Sequence, residues 1–319
     1  MRVLITGATG LVGQAIVKVL QHKGIPINYL TTSKEKISSN EDFQGYYWNP
    51  SKGEIDLDCF KNVQAIINLA GSSIAKRWTP SNKKKILSSR VDSLSTLKKG
   101  LEKVGSQEVE CFVSASAIGI YPDSTSNYYD EDTKAIDDGF LGEVVKKWEA
   151  EADTFKELGL DVAKIRIGLV LSTEGGALPK MAMPIKNYIG APLGSGEQWQ
   201  SWIHIDDLAQ LFVFIIENNL SGVFNGVAPN PITNTKLTQK LAEVLDKPLW
   251  LPKVPQFLLK AVLGKMSYLL LSSQRVSCKK VEDEGFTFQY SNICVALNDL
   301  YMENNEELKA LEAAENELI

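Results

Sequence analysis

The chain has 319 residues, 44% of them hydrophobic and 23% charged, an ordinary globular composition with material for one large or two small domains. A net charge of −5 argues against a nucleic-acid partner, and four scattered cysteines with only two histidines, His22 and His204, argue against a metal site. The longest apolar stretch, 257–271, is broken by Lys260, Gly264 and Lys265 and is too short for a bilayer, so a soluble cytoplasmic protein with no membrane partner is expected.

Arg2-Val3-Leu4-Ile5 opens the chain as a buried parallel strand. Thr6-Gly7-Ala8-Thr9-Gly10-Leu11-Val12-Gly13 follows, and 14–23 then carries Ile16, Val17 and Leu20 at helical spacing. A Gly-x-x-Gly-x-x-Gly turn between strand and helix lets a pyrophosphate approach free amides at a helix N-terminus, although the commonest fingerprint is Gly-x-Gly-x-x-Gly. The second strand is 27–30. A buried strand at 65–69 ends in Ala70-Gly71, and 83–103 is a long amphipathic helix with Ile86, Leu87, Val91, Leu94 and Leu97 on one face. A strand starting at 111 runs into Ser114-Ala115-Ser116-Ala117, 140–158 is helical, and 161–171 is again a strand. This alternation predicts an α/β fold, a Rossmann-type doubly wound parallel sheet that binds ligands beyond the C-terminal ends of its strands.

After residue 171 the texture changes. Residues 174–202 are rich in Gly, Pro, Met and Trp with little periodicity, and read as the loop-rich wall of a substrate pocket. Trp202-Ile203-His204-Ile205 is a short strand, and Asp206 or Asp207 is expected to cap the helix that follows to 216. A late strand at 222–227, a helix at 236–245 and a mostly helical stretch at 256–300 complete the pattern. The expected division is a dinucleotide-binding domain at 1–173 and 203–229, with a smaller, mostly helical substrate-side domain at 174–202 and 230–300. Residues 301–319 form an acidic, leucine-spaced helix or tail, solvated or docked, with a homodimer contact as the lesser alternative.

In dinucleotide folds a carboxylate at the end of the second strand bonds the adenosine ribose and selects NAD(H). That place reads Thr31-Thr32-Ser33-Lys34, with no carboxylate before Glu35. Hydroxyls and a lysine suit a 2′-phosphate that a carboxylate would repel, so NADP(H) is favoured over NAD(H).

Several segments carry a resemblance in order: 6–13, Asn68-Leu69-Ala70-Gly71, Arg77-Trp78 with Ser89-Arg90, 114–119, Trp148-Glu149 and 166–171. Gly175-Gly176, Lys180-Met181, Gly194-Ser195-Gly196, 202–206 and 228–231 continue it. On these the chain resembles the extended short-chain dehydrogenase/reductase superfamily. Within it the likeness is to the atypical NAD-dependent epimerase/dehydratase-like family, sugar-nucleotide epimerase-like, with a C-terminal domain of unknown function. The resemblance covers residues 1 to about 300 and implies a Rossmann-type NADP(H) domain with a smaller domain closing over the nicotinamide; the word epimerase reports a fold and not a reaction. Backbone at Gly7, Thr9, Gly10, Leu11, Val12 and Gly13 is expected to meet the pyrophosphate, with Thr31, Thr32, Ser33 and Lys34 at the adenosine end. Leu69, Ala70 and Gly71 should pass the cofactor's middle, Ser114 and Ala115 should reach the nicotinamide side, and Arg166, Gly168 and Leu169 should close it.

Members of the superfamily use a Tyr and, four residues later, a Lys on one helix face as a proton relay. No Tyr-x-x-x-Lys occurs here; the helix that should carry it begins near Phe140-Leu141-Gly142-Glu143-Val144. Ser116 and Tyr121 are the expected catalytic substitutes, Ser116 to orient a substrate oxygen and Tyr121 to supply a proton. Arg77, Glu143, Lys180, Trp202 and His204 are the expected substrate-side residues. Each also has a plain structural reading: a satisfied turn, a packed ring, a solvated charge. The leading function is an NADP(H)-dependent oxidoreductase or epimerase-like enzyme for a small carbonyl or sugar-like substrate. The alternatives are an inactive NADP(H)-binding sensor and, on the acidic terminus alone, a structural partner in an oligomer.

Overall fold

The computed structural model describes residues 1–38 and 40–303, so most of the acidic terminal stretch, 304–319, lies outside the described residues. The central sheet has eight strands: β1 (Val3–Thr6), β2 (Ile27–Thr31), β3 (Phe43–Asn49), β4 (Glu54–Ile55), β5 (Ala65–Asn68), β6 (Cys111–Ala117), β8 (Asp161–Ile167) and β12 (Gly222–Gly226). Their order is β12-β8-β6-β5-β1-β2-β3-β4, with only the β3–β4 edge pair antiparallel. Residues of β1 and β5 are all buried, as expected of strands covered on both faces. From β1 the chain winds one way through β2 and β3. From β5 it winds the other way, and the reversal leaves a crevice between the C-terminal ends of β1 and β5, where such folds take ligands.

Helices α1 (Leu11–His22) and α5 (Ile205–Glu217) pack together on one face, and α2 (Pro80–Val104) and α3 (Phe140–Asp153) on the other. The main core fills the space between these helices and the sheet; there Phe112 stacks on Phe155 with centroids 3.9 Å apart. Full burial of each such ring contributes about 1.5–3 kcal/mol. A second core gathers Leu171, Leu178, Trp202, Leu237, Leu241 and Leu297. It is built by α4 (Leu178–Lys186), α6 (Asn234–Val244) and α10 (Ile293–Asn298); of the other C-terminal helices α7 (Gln256–Leu263), α8 (Tyr268–Leu271) and α9 (Lys279–Asp283), α8 packs near Trp78 and Leu141 and α9 against the main core. Three two-stranded pairs join the parts: β7 (Tyr128–Tyr129) with β14 (Arg275–Val276), β9 (Leu169–Leu171) with β11 (Trp202–His204), and β10 (Trp199–Gln200) with β13 (Ile232–Thr233).

Several expectations are corrected. Helix α1 starts at Leu11 rather than 14, because Gly10 takes the cap position. The run 161–171 is two strands: a side chain at Gly168 would collide with the Ser201 carbonyl, and beyond it the chain leaves the main sheet to pair with β11. Strand β3 escapes a periodicity reading because Gly45 sits mid-strand, where a Cβ would stand 2.6 Å from the Tyr29 ring. Residues 174–202 contain α4, disguised by Pro179 in its first turn and Pro184 inside it. His204, not Asp206 or Asp207, caps α5: its Nδ1 accepts the Asp206 amide at 3.2 Å. The Asp207 carboxylate instead accepts the amides of Gln289 and Tyr290, at 2.8 and 2.9 Å. Cys59, Cys111 and Cys278 are buried, and burial pushes the Cys111 thiol up to about 12. No helix among the described residues is long and apolar enough to cross a membrane.

Candidate functional site

The crevice between β1 and β5 is lined by backbone. Gly7 has φ +76°, a left-handed conformation suited to glycine, and a Cβ there would stand 3.2 Å from Leu69. A side chain at Gly13 would collide with the Gly7 carbonyl. The Gly10 amide donates to that same carbonyl at 3.0 Å, folding the turn onto the start of α1. Gly10 offers no side-chain cap, and the first turn of α1 carries no acidic residue. The helix therefore presents uncapped amides to the crevice, the arrangement that favours a pyrophosphate.

The opposite wall is fixed by a chain of side chains under it. The Thr6 hydroxyl donates to Asn68 Oδ1 at 2.7 Å and accepts the amides of Leu69 and Ala70, both at 3.1 Å. Asn68 Nδ2 donates to the Ser114 hydroxyl at 3.1 Å. Ser114 is thus wholly buried and holds the loop from below, while Leu69 and Ala70 are half-buried and Gly71 is exposed beside the crevice. At the end of β2, the Thr31 hydroxyl accepts the Ser33 amide at 3.2 Å, Thr32 is exposed, and the Lys34 ammonium lies 5.1 Å from the Tyr47 ring centroid. The Ser33 hydroxyl donates to Glu35, whose carboxyl this bond lowers from its ordinary value. The Glu35 carboxylate, one residue past 31–34, is thus held by Ser33.

Beyond the end of β6 runs a buried polar chain. Ser116, 3% exposed, donates to Glu149 Oε1 at 2.6 Å. Arg166 grips both oxygens of Glu149, at 2.8 and 3.0 Å, and donates from Nη1 to the Tyr121 hydroxyl at 2.9 Å. Tyr121 donates in turn to Asn225 Oδ1 at 2.8 Å. Burial works against the Arg166 charge, but the Glu149 carboxylate outweighs it and raises the guanidinium above its ordinary value. Burial pushes the Tyr121 phenol up to about 12, despite Arg166. With 0% exposure and its hydroxyl engaged on both sides, Tyr121 faces the interior and not a cleft. Ala115 is buried, Arg166 is turned into the chain, and Gly168 and Leu169 are half-buried at the break between β8 and β9.

A cleft of about 760 Å³ opens at the start of α3. Phe140 lines it with Trp78, the two rings meeting edge to face at 5.0 Å. The Lys83 ammonium lies 4.5 Å from the Phe140 ring centroid. From the C-terminal helices come Lys260, Lys265 and Tyr268, and the Tyr268 hydroxyl donates to the buried Asp137 carboxylate. Burial and that carboxylate raise the Tyr268 phenol above its ordinary value.

The expected substrate-side residues are dispersed. Arg77 is exposed, with its Nε 4.0 Å from the Cβ position of Gly264 at the cleft's rim. Glu143 is exposed and ion-paired with Lys147 at 2.7 Å, and Lys180 is exposed on α4. Trp202 is buried, donating from Nε1 to the Asn230 carbonyl at 2.9 Å. His204, 1% exposed, is stacked on Tyr290 at 3.8 Å with its Nε2 3.2 Å from Asp299. Burial lowers it below its ordinary value, against the pull of Asp206 and Asp299. The groups that do face the cleft, Lys83, Asp137 and Tyr268, were missed. Asp137 and Tyr268 are 131 residues apart, and no spacing rule connects them.

Comparison with known proteins agrees with this architecture. The NAD dependent epimerase/dehydratase family matches residues 3–140, and a domain of unknown function, DUF1731, matches residues 254–300. An epimerase family protein of Staphylococcus aureus strain MRSA252 is 39% identical over 300 residues, covering 93% of this chain and 98% of its own. The human epimerase family protein SDR39U1, crystallised with NADPH, superposes with a TM-score of 0.81 at 29% identity, over 95% of this chain and 99% of that one. A nucleoside-diphosphate sugar epimerase of Corynebacterium glutamicum gives a TM-score of 0.76 at 29% identity, over 97% of this chain and 61% of that one. The chain belongs to the NAD dependent epimerase/dehydratase family, among the epimerase family proteins that carry the DUF1731 segment.

Proposed function

We propose that this chain is an NADP(H)-binding, epimerase-like oxidoreductase that acts on a small carbonyl or sugar-like substrate without a Tyr-x-x-x-Lys pair. The observation that carries the reading is the crevice itself: uncapped amides at α1, a glycine turn with no room for a side chain, and a facing loop pinned by Thr6, Asn68 and Ser114. The solved human relative holds NADPH on the same fold. Gly7 to Gly13 would cradle the pyrophosphate and Thr31 to Lys34 the 2′-phosphate. Leu69 to Gly71 would run beside the middle, and Ala115, Gly168 and Leu169 would border the nicotinamide side. Bound there, the nicotinamide gives or takes a hydride.

The substrate site in this reading is the cleft at Phe140, closed by the C-terminal helices. Lys83, Lys260 and Lys265 share the lining with Asp123, Asp137 and Asp138, so the cleft suits a polar substrate that both donates and accepts, and Trp78 and Phe140 offer it an apolar wall. Ser116 and Tyr121 act as positioning residues: through Glu149 and Arg166 they hold the end of β6 rigid beside the nicotinamide. Tyr268, held by Asp137, is the phenol placed to meet a substrate oxygen.

The test is NADPH oxidation by the purified chain against a panel of small carbonyl compounds and nucleotide sugars. Substrate-dependent turnover that falls at least about tenfold in Tyr268→Phe, a loss typical of acid–base groups, supports the reading. NADPH binding with no turnover across the panel favours the sensor, for which Phe140 and Val144 in place of the proton relay are the motive.

A further inference from the structure

The third turn of α2 carries an arginine that pairs with no carboxylate among the described residues. Arg90 points up along the sheet to the loop after β5. Its Nη1 donates to the Ser72 carbonyl at 3.2 Å and the Ile86 carbonyl at 2.9 Å. The guanidinium lies 4.8 Å from the Trp148 ring centroid, and a Cβ on Gly71 would stand 3.2 Å from its central carbon. Its Nε is buried and has no hydrogen-bond partner among the described residues, and no carboxylate pairs with it there. Burial alone acts on its charge and lowers it to about 10.

Arg90 as a whole is half-buried, so its charge is only partly screened, and an anion that reached the unpaired Nε would stabilise it. The geometry says where that anion would come from. Gly71 is exposed two residues, at most about 7 Å of chain, after Leu69, which leaves no room for a side chain on Gly7 across the base of the crevice, and the guanidinium lies against Gly71. Ser89, one residue before Arg90, holds the same loop: its hydroxyl accepts the Ser72 amide at 2.9 Å. The loop is therefore stapled to α2 with the cation directly behind its exposed glycine. Glycine there keeps a path open between the guanidinium and the crevice; any side chain would press on it.

We infer that Arg90 is an anion-holding residue of the crevice, pairing with a phosphate oxygen on the nicotinamide side of the bound dinucleotide. It would bring a positive charge to that side from α2, where α3 has Val144 and no lysine. The inference rests on the cofactor reading above. The same anion chemistry could come from an acidic substrate, and the experiment separates the two sources.

Full-length wild type, Arg90→Lys and Arg90→Met are titrated with NADPH and with adenosine 2′,5′-bisphosphate, and their melting temperatures are recorded with and without NADPH. Arg90→Met is expected to weaken NADPH at least about tenfold, as for loss of a charge-assisted bond, and adenosine 2′,5′-bisphosphate less than about threefold. Its unliganded melting temperature should hold or rise, since an uncompensated charge is removed, and Arg90→Lys should fall between. Wild type binding NADPH while Arg90→Met binds it equally well overturns the inference alone. Equal losses for both ligands with a lower unliganded melting temperature mark a packing role and also overturn it. NADPH affinity retained with a raised substrate KM assigns the anion to the substrate and overturns the cofactor assignment. Wild type that binds no NADPH removes the inference together with the cofactor reading.

Discussion

Arg166 is buried and Arg90 half-buried, both against α3, and the protein treats them differently. Arg166 is neutralised from within: Glu149 takes it with two bonds, and Tyr121 and Ser116 complete the chain. Arg90 has two backbone carbonyls, an aromatic face and no carboxylate among the described residues. A satisfied buried ion pair is architecture, because it is complete before any ligand arrives. An unsatisfied one is a demand for a partner. The difference divides the polar interior into a scaffold under β6 and β8 and a receptor behind the loop after β5.

The strongest way to break this comparison is to orphan the scaffold. Arg166→Met leaves the Glu149 carboxylate buried with no cation and only the Ser116 hydroxyl on it, and should cost about 3–5 kcal/mol in urea unfolding, with much of it recovered by adding Glu149→Met. A loss below about 1 kcal/mol would mean the pair is solvated and the contrast with Arg90 is empty. A smaller effect is expected one step along the chain. Tyr121→Phe removes a bond from Arg166 and one to Asn225 and should cost about 1–3 kcal/mol. Turnover, once a substrate is found, should change only a few-fold and keep its pH profile. A pH profile that loses a limb would return Tyr121 to the role of proton donor.

A third buried base sharpens the contrast at still lower cost. His204 is kept neutral by burial and by the Asp206 amide that its Nδ1 accepts, with Asp207 and Asp299 nearby. Its folded value lies below its unfolded one, so the unfolded chain takes the proton first. Stability should be full above pH about 6.5 and fall as pH drops below it through the folded value. His204→Asn retains a cap acceptor without titrating. The difference in melting temperature between wild type and this variant should therefore shrink from pH 7.5 to 5.5, wild type losing more. Parallel curves would show that His204 does not titrate in folding.

The parts of the molecule legible in the sequence were those whose physics is local. Val3 to Gly13 announces strand, turn and helix because Gly7 takes a left-handed φ and Gly13 is crowded by Gly7 and Ala8 a few residues away. The run 65–69 and the helix at 140 were readable for the same reason, as apolar periodicity. What escaped depends on distant contacts. Gly45 is explained only by the Tyr29 ring on the next strand, and the break at Gly168 only by the Ser201 carbonyl. Tyr121 follows β6 as a catalytic group might, yet Asn225, 104 residues away, draws its hydroxyl inward. Arg90 stood in a recognisable Ser-Arg pair, but its lack of a counter-ion is a property of Trp148, Gly71 and Ser72 together. That no carboxylate among the described residues meets it has no signature in a sequence.

The most direct test of the account is an equilibrium titration of the wild-type chain with NADPH and then NADH, followed by nicotinamide fluorescence. Saturable NADPH binding, tighter than NADH, is the result the crevice predicts. Binding of neither would contradict it: the glycine turn would then be a structural bend, and Arg90 a charge that the fold carries unanswered.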